Sequence, residues 1–527
     1  MNYPGFYSDL FRTTLPETAL EIAALLVLVV DLGFLRKAAL NVRLAVAASL
    51  GVLGCVAGLW AISIQEGFGL YVDDNLVLSN NHIAQSAQCG ILVLTAFTLL
   101  LLFDSVFTRH IGEFVAVILM SAAGGLLVAS AQDLLIIFIG LELLSLGLYI
   151  LTAFAKSSGK SAEAAMKYYL FGGMSAAFLL FGFSYLYGLG GSTNLEAIQG
   201  NIGQTGPSPL LYLAWILIVA GLGFKIAAVP FHLWAPDTYE GAPAPAAAFI
   251  ASVSKVASFA LLLTISLNLL SPSGPIEGQR DSVEHFVRGI YQAWQPLAMI
   301  LLVVAAASML LGNLAALAQV SVRRLLAYSA IAHAGYILLG VATQAHYTGQ
   351  GSAFSFLMST VGPSYRSAAA VLFYVLTYGL TTIGAFGVVD VVQRATGSDR
   401  LDAFLGLHKR NPLLAAVLLV LFLSLAGIPP LVGFWAKFNL FAAVLSVSAG
   451  PVPFALVALA IAMSAVSLYY YLQVLKRAYV MPAVDESPIK AHPVTLIVLL
   501  AIAAAVVVLG CFPALLQNWI ASFYPQM

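Results

Sequence analysis

The chain has 527 residues, of which 61% are hydrophobic and only 9% charged. A soluble domain carries about 25% charged residues, so this composition excludes an ordinary globule and points to a bilayer. The 23 basic and 23 acidic residues cancel, leaving no basic field for nucleic acid and no acidic one for cationic partners.

Arg12, Glu17 and Glu21 stand before the first apolar run, and no small-residue cleavage signature follows it. That run is expected to stay as a membrane helix rather than be removed as a signal peptide. A membrane helix needs roughly 20 mostly apolar residues to cross about 30 Å of hydrocarbon. Fourteen such stretches follow in order: 14–35, 41–64, 84–103, 111–131, 133–155, 164–189, 209–231, 243–270, 293–313, 322–343, 366–392, 412–447, 452–475 and 493–520. The expected fold is all-α, a polytopic membrane protein of about fourteen transmembrane helices in one domain. Cys55, Cys89 and Cys511 lie far apart inside apolar stretches, which fits packing residues and neither a disulfide framework nor a metal cluster.

With the N-terminus outside, the inward loops hold 16 basic residues, among them Arg36, Lys37, Arg43, Lys160, Lys167, Arg323 and Arg324, and the outward loops 4. The positive-inside rule then puts both termini on the periplasmic side. Asp31 and Asp390 fall near inner helix ends, where solvent is expected to reach them. Three basic residues fit no loop: Lys225, Lys255 and Lys437 sit within apolar stretches.

Two stretches are broken. The seventh runs from Gly221 through Lys225 to Val229-Pro230, and the twelfth reads Gly427-Ile428-Pro429-Pro430 before Gly433 and Lys437. Proline inside a helix removes a backbone donor and clashes with the preceding turn, and matched breaks mark ion sites in transporters built from inverted repeats. The lysine precedes one break and follows the other, as oppositely inserted units would give. Two inverted five-helix repeats are expected over 111–271 (helices 4–8) and 293–476 (helices 9–13), after three helices in 1–110 and before a last one in 490–527.

An ionisable residue inside a membrane helix is presumed functional or paired. Glu142, Ser145 and Tyr149 share one helical face at offsets of three and seven residues. Lys255 lies between Ser252 and Ser258, and His333 between Ser329 and Tyr336. Hydroxyls beside ionisable groups relay protons or order water, and histidine changes charge near neutral pH. At the seventh-helix break, unwound carbonyls are expected to receive the Lys225 ammonium. Burial favours an uncharged amine and a nearby carboxylate the ammonium, so pairing and separating Glu142 and Lys225 would switch the lysine between holding and releasing a proton. A static ion pair is the bland alternative. After the break, His232, Asp237 and Glu240 lack the spacing of a helical zinc site; their Pro- and Gly-rich surroundings predict a rigid turn, with His232 at a proton entrance.

At these residues the chain resembles the antiporter-like membrane subunits shared by NADH:quinone oxidoreductase (complex I) and multi-subunit cation/proton antiporters. The likeness rests on the blocks Leu141–Leu151, Ala165–Gly172, Pro230–Pro243 and Gly427–Lys437. It implies Glu142 and Lys225 as an input pair, Lys255 as central proton carrier, His333 as a link between half-channels and Lys437 as terminal site, with Lys167 and His232 accessory. Lys437 departs from the subunit type that has Glu there, and the end at Met527 from the type with a long lateral helix. Ala244 stands after Pro243 where relatives commonly have Thr, which puts a water-binding role of that turn in doubt.

The sequence holds no motif for NADH, flavin, iron–sulfur clusters or quinone and no metal site. The resemblance therefore implies a proton-pumping part of a bacterial inner-membrane enzyme whose NADH, FMN, iron–sulfur and quinone sites lie in partner subunits. Other antiporter-like subunits and the lipid bilayer are its expected surroundings. A cation/proton antiporter subunit is the main rival, followed by a membrane-bound hydrogenase subunit and a structural scaffold.

Overall fold

The computed structural model describes residues 6–65, 69–72, 75–104, 107–270, 280–343, 353–447, 450–483 and 485–522. Helix α1 (Phe6–Thr13) leads into α2 (Leu15–Val29), which closes in a π-turn over Val30–Phe34; α3 (Leu40–Ile64) returns to an antiparallel hairpin of β1 (Gly69–Val72) and β2 (Asn75–Ser79). Next come α4 (His82–Leu100), α5 (Ile111–Ser130), α6 (Leu134–Thr152), α7 (Gly159–Gly190), α8 (Leu195–Thr205), α9 (Pro209–Ile226), α10 (Trp234–Gly241) and α11 (Ala244–Leu270). The rest is α12 (Arg280–Leu317), α13 (Val322–Thr343), α14 (Ala353–Thr396), α15 (Leu407–Arg410), α16 (Pro412–Ala426), α17 (Val432–Val447), α18 (Pro451–Tyr479), α19 (Pro493–Cys511) and α20 (Ala514–Ser522).

Each apolar stretch falls on helix, and among the described residues twelve single helices are long and apolar enough to cross a bilayer. The first and twelfth stretches are not among those twelve because both are interrupted. The first passes into the π-turn after 15 residues, and the twelfth is split into α16 of 15 residues and α17 of 16. Burial separates the helices by task. The apolar spans of α11, α13 and α14 are 100%, 94% and 94% buried, against 22% for α18 and 33% for α7. Helices wholly surrounded by protein are where a bilayer fold can keep polar side chains.

Both expected interruptions are present, with the same local plan. Helix α9 ends at Ala227 and α16 at Gly427, each in the left-handed conformation (φ 59° and 88°), and each is followed three residues later by a proline in a cis peptide bond, Pro230 and Pro430. Glycine takes that φ freely, whereas alanine does so at a cost of about 1–2 kcal/mol. The seventh stretch differs from expectation in extent. Its helix stops at Ile226, and the chain turns into the eight-residue α10 rather than resuming a span.

An ion cluster pins α10, so Asp237 and Glu240 lie on a short helix and not simply in a rigid turn. Arg324 of α13 donates to Asp237 Oδ1 at 2.7 Å and Glu240 Oε2 at 3.0 Å; Lys167 and Lys160 of α7 reach the same two carboxylates at 2.7 and 3.0 Å. Lys167 also meets Glu163 at 2.7 Å. Burial alone would raise both carboxyl pKa values, but Lys167 and Arg324 at Asp237, and Lys160 and Arg324 at Glu240, outweigh it and hold both below the usual carboxylate range.

Asp31 corrects an expectation: solvent does not reach it. It is 2% exposed, receives Arg43 Nε and Nη2 at 2.7 and 2.6 Å, and accepts from Gly112 N at 3.2 Å. The π-turn turns its carboxylate in among α2, α3 and α5, where only a paired charge is tolerated. Asp390 is bridged to Arg394 at 3.0 Å.

Two outcomes follow. Arg43→Ala strands a buried carboxylate and should destabilise the fold by about 3–5 kcal/mol, read as a lower thermal midpoint in detergent, with Asp31→Asn restoring part of it. A carboxylate whose folded pKa is depressed stabilises fully above its unfolded pKa and loses that contribution as pH falls through the folded one. The thermal midpoint of the wild type should therefore drop below the ordinary carboxylate range, and more shallowly in an Asp237→Asn, Glu240→Gln variant.

Candidate functional site

The first buried pair joins α6 to the last turn of α9. Lys225, 5% exposed, donates to Ser145 Oγ at 2.5 Å and meets Glu142 Oε1 at 3.5 Å, and Glu142 keeps 26% of its side chain exposed. Ser145 lies one turn from Glu142, as the shared face requires, and its own hydroxyl donates to Leu141 O at 2.5 Å. Tyr149 belongs to the same face, stacked edge-on against Tyr168 with a buried hydroxyl that meets no protein partner. Among the described residues no freed carbonyl is bonded to the Lys225 ammonium, and Trp234 Nε1 donates to Phe224 O at 3.0 Å.

At the other break the expectation drawn for Lys225 holds for Lys437. Its ammonium donates to Leu425 O at 3.2 Å, Ala426 O at 2.9 Å and Ser464 Oγ at 2.8 Å. The first two carbonyls end α16, so the charge sits on the negative end of a half-helix. Gly433 is required there, since a Cβ would lie 1.8 Å from Ser424 O.

Two more buried groups are Lys255 on α11 and His333 on α13. Lys255, 2% exposed, donates to Ala330 O of α13 at 2.5 Å and stands 5.6 Å from the centre of the Tyr378 ring. That ring lies 4.8 Å from His333, which also meets the Tyr336 ring edge-on at 5.7 Å; the Tyr336 ring in turn stands 5.5 Å from Lys437 Nζ. Ammonium, ring, imidazole, ring and ammonium thus follow one another through the protein-enclosed helices, with the ring faces offering the cations weak attraction. His333 Nδ1 pairs with Tyr374 OH at 2.9 Å and Nε2 with Tyr471 OH at 3.5 Å. A cavity of about 10 Å³ beside His333, lined by Thr377, Tyr378, Thr381, Ser424 and Leu425, has room for roughly one water.

The expected serine partners divide. Ser329 joins the line, paired with Tyr471 OH at 2.5 Å. Ser252 instead donates to Ala248 O in its own helix at 2.6 Å, and Ser258 is buried with no protein partner. Lys255 is bonded to neither. Tyr336 OH accepts from Asn313 Nδ2 at 3.0 Å, and Tyr470 OH donates to Asn313 Oδ1 at 3.1 Å. Lys167 belongs to the α10 cluster, and His232 is 7% exposed with Nδ1 unpaired. Among the described residues no hydrogen bond joins Lys225 to Lys255, and no cluster of three metal-ligating groups occurs.

Sequence reasoning missed Tyr374, Tyr378, Tyr470, Tyr471, Asn313 and Ser464. The signal that found Glu142 would have served for α14, where Tyr374, Thr377, Tyr378 and Thr381 repeat at helical spacing on one face. For Asn313 and Ser464, single polar residues in apolar helices, only the fold reveals their partners.

A family model for the NADH:quinone oxidoreductase/Mrp antiporter transmembrane region matches residues 131–276, 286–362 and 352–466. NADH-quinone oxidoreductase subunit N 2 of Acidobacterium capsulatum is 46% identical over 98% of this chain and 99% of its own length. Subunit N 1 of Roseiflexus castenholzii is 40% identical over 79% of this chain and 74% of its own. A chain of respiratory complex I from Thermus thermophilus with bound aureothin superimposes with a TM-score of 0.73 at 32% identity, covering 95% of this chain and 98% of that one. Matches of that length and identity make this chain a member of the NADH:quinone oxidoreductase/Mrp antiporter family of membrane subunits, among relatives that are subunits N.

Proposed function

We propose that the chain translocates protons through Glu142, Lys225, Lys255, His333 and Lys437 as a subunit of an NADH:quinone oxidoreductase. The observation that carries this reading is the enclosed succession Lys255, Tyr378, His333, Tyr336, Lys437, in which every ionisable group neighbours a ring or hydroxyl that can hold it in either protonation state. NADH, FMN, iron–sulfur clusters and quinone belong to partner subunits, and this chain's residues only bind, pass and release protons. The membrane is the bacterial inner membrane, with both termini periplasmic.

The steps follow from the contacts. Lys225 is held by a long ion pair and a short hydroxyl bond, so a neighbouring subunit acting on the exposed edge of Glu142 can loosen the pair without breaking a core contact. A neutral Lys225 no longer repels a proton on Lys255. Lys255 has one carbonyl ligand against three oxygen ligands at Lys437, and so the ammonium is better held at the far end. A cavity of about 400 Å³ lined by Lys160, Glu240, Pro243, Arg323 and Asp390 abuts the start of α11 and is the intake from the basic face. Accessory groups are Lys167, bonded to Asp237 of α10, and His232 before α10, with Ser145 and Tyr149 at the Glu142–Lys225 pair and Ser252, Ser258, Ser329 and Tyr336 on the helices of Lys255 and His333. The cation/proton antiporter reading is less well supported. The relatives that the chain resembles at 46% and 40% identity are NADH-quinone oxidoreductase subunits N, which favours the redox-driven assembly.

In the purified assembly, reconstituted in vesicles, Lys225→Ala and Lys255→Ala should each lower NADH-driven proton uptake on the order of 10²-fold, the scale for removing a positioned acid–base group. Full pumping in both sinks the reading. Glu142→Gln should lower pumping in the same direction while leaving assembly intact. Tyr471→Phe removes the hydroxyl shared by Ser329 and His333 and should slow uptake by a smaller factor at unchanged thermal midpoint, measured in the same vesicles.

A further inference from the structure

Glu17, near the start of α2, is a buried carboxyl that the line described above does not use. It is 7% exposed and touches one polar side chain, Gln88 of α4, whose Nε2 donates to Glu17 Oε1 at 3.3 Å. The same Nε2 donates to Leu126 O of α5 at 3.3 Å, and two acceptors around one nitrogen fix the orientation of the amide. The remaining atoms of these two end groups, Glu17 Oε2 and Gln88 Oε1, are both buried and both lack a protein partner.

Two acceptors left without a donor on a contacting carboxyl and amide are what a single proton corrects. Placed on Glu17 Oε2, it converts one acceptor into a donor, and an acid and an amide can then close a ring of two hydrogen bonds. An ionised Glu17 has no such remedy among the described residues. The charged and titratable groups on the elements around it are Tyr7, Asp9 and Arg12 on α1, Glu21 one turn on along α2, Arg43 and Cys55 on α3, His82 and Cys89 on α4, and Glu113 on α5. Glu17 forms no ion pair with any of them; Arg43 is engaged with Asp31, and Glu21 adds a like charge. The start of α2 offers the carboxylate one donor, the backbone N–H of Glu17 itself. Thr14 N is already bonded to Leu10 O and Pro16 has no N–H, and a helix terminus offsets only a small part of a buried carboxylate's desolvation.

A cavity of about 680 Å³ between α3, the β1–β2 hairpin and α4 is lined by Gln65, Asn80, Gln85 and Cys89, and Gln85 lies one turn from Gln88. We propose that Glu17 is a proton-binding site separate from the translocation line, a neutral carboxylic acid paired with Gln88 that exchanges its proton with this hairpin-side cavity.

The test uses the full chain in its purified membrane assembly. Infrared spectra of the wild type at neutral pH should contain a carboxylic-acid C=O band that Glu17→Gln removes and that Gln88→Leu shifts as the acid loses its amide partner. Glu17→Gln, which can donate from its own amide to Gln88, should leave the thermal midpoint and NADH-driven pumping unchanged, whereas Glu17→Ala should lower the midpoint. The proposal is overturned if the band is the same with and without Glu17, or if Glu17→Gln assembles no better than Glu17→Ala, since then the ionised form is what the fold requires. Because pumping is expected to survive Glu17→Gln, the outcome is independent of the lysine variants that test translocation.

Discussion

A buried ammonium must find oxygen, and at Lys437 it finds it in carbonyls that the break at Gly427 sets free. A continuous helix uses up its own carbonyls; one that ends in the middle of the protein leaves its last ones unbonded and concentrates negative potential there. The break therefore makes the site, and the left-handed residue makes the break. Gly427 adopts that conformation without cost, and Ser424 completes the turn by accepting from Gly433 N at 3.2 Å. At Ala227 the same geometry is imposed on a residue that resists it, and the surroundings supply the restraint: Val229 N donates to Ser308 Oγ, Trp234 Nε1 to Phe224 O, and three cations grip α10 beyond.

The rings between the charges answer a second constraint. A carboxylate beside Lys255 would fix a proton there by a strong short-range attraction, and bare aliphatic walls would expel it. An aromatic face lies between these limits, and a tyrosine hydroxyl can donate or accept. Tyr378 serves both Lys255 and His333, and Tyr336 both His333 and Lys437, so neither lysine is isolated from the imidazole.

What could be read from the sequence was whatever depends on one segment at a time. Hydropathy located the helices, proline and glycine located both breaks, and the tally of basic residues singled out Lys225, Lys255 and Lys437. Readings that needed a second segment fared worse. Asp31 looked solvent-accessible because nothing in its own helix tells that Arg43 and Gly112 close over it. Ser252 looked like a partner of Lys255 because they are three residues apart, yet a helical serine falls back readily on the carbonyl four residues before it, and the real contacts of Lys255 come from α13 and α14. The freed carbonyls expected at Lys225 are found at Lys437 for a similar reason, since which of the two reaches them depends on the side of the break each occupies.

The contacts also divide by strength. At α10, Arg324 bonds to two carboxylates and each of these is bonded again by a lysine, all at 2.7 to 3.0 Å. Removing any one contact leaves the segment held by the others. The Glu142–Lys225 pair is a single contact at 3.5 Å with one partner open to the surface, and Lys255 has one carbonyl. A structural ion pair gains from redundancy, because losing one member of a buried cluster otherwise strands a charge. A group that must change protonation gains from the opposite, since every additional fixed partner makes one state harder to leave. The scarcity of partners at Lys225 and Lys255, beside the crowded α10 cluster, is what their proposed role as proton carriers would require.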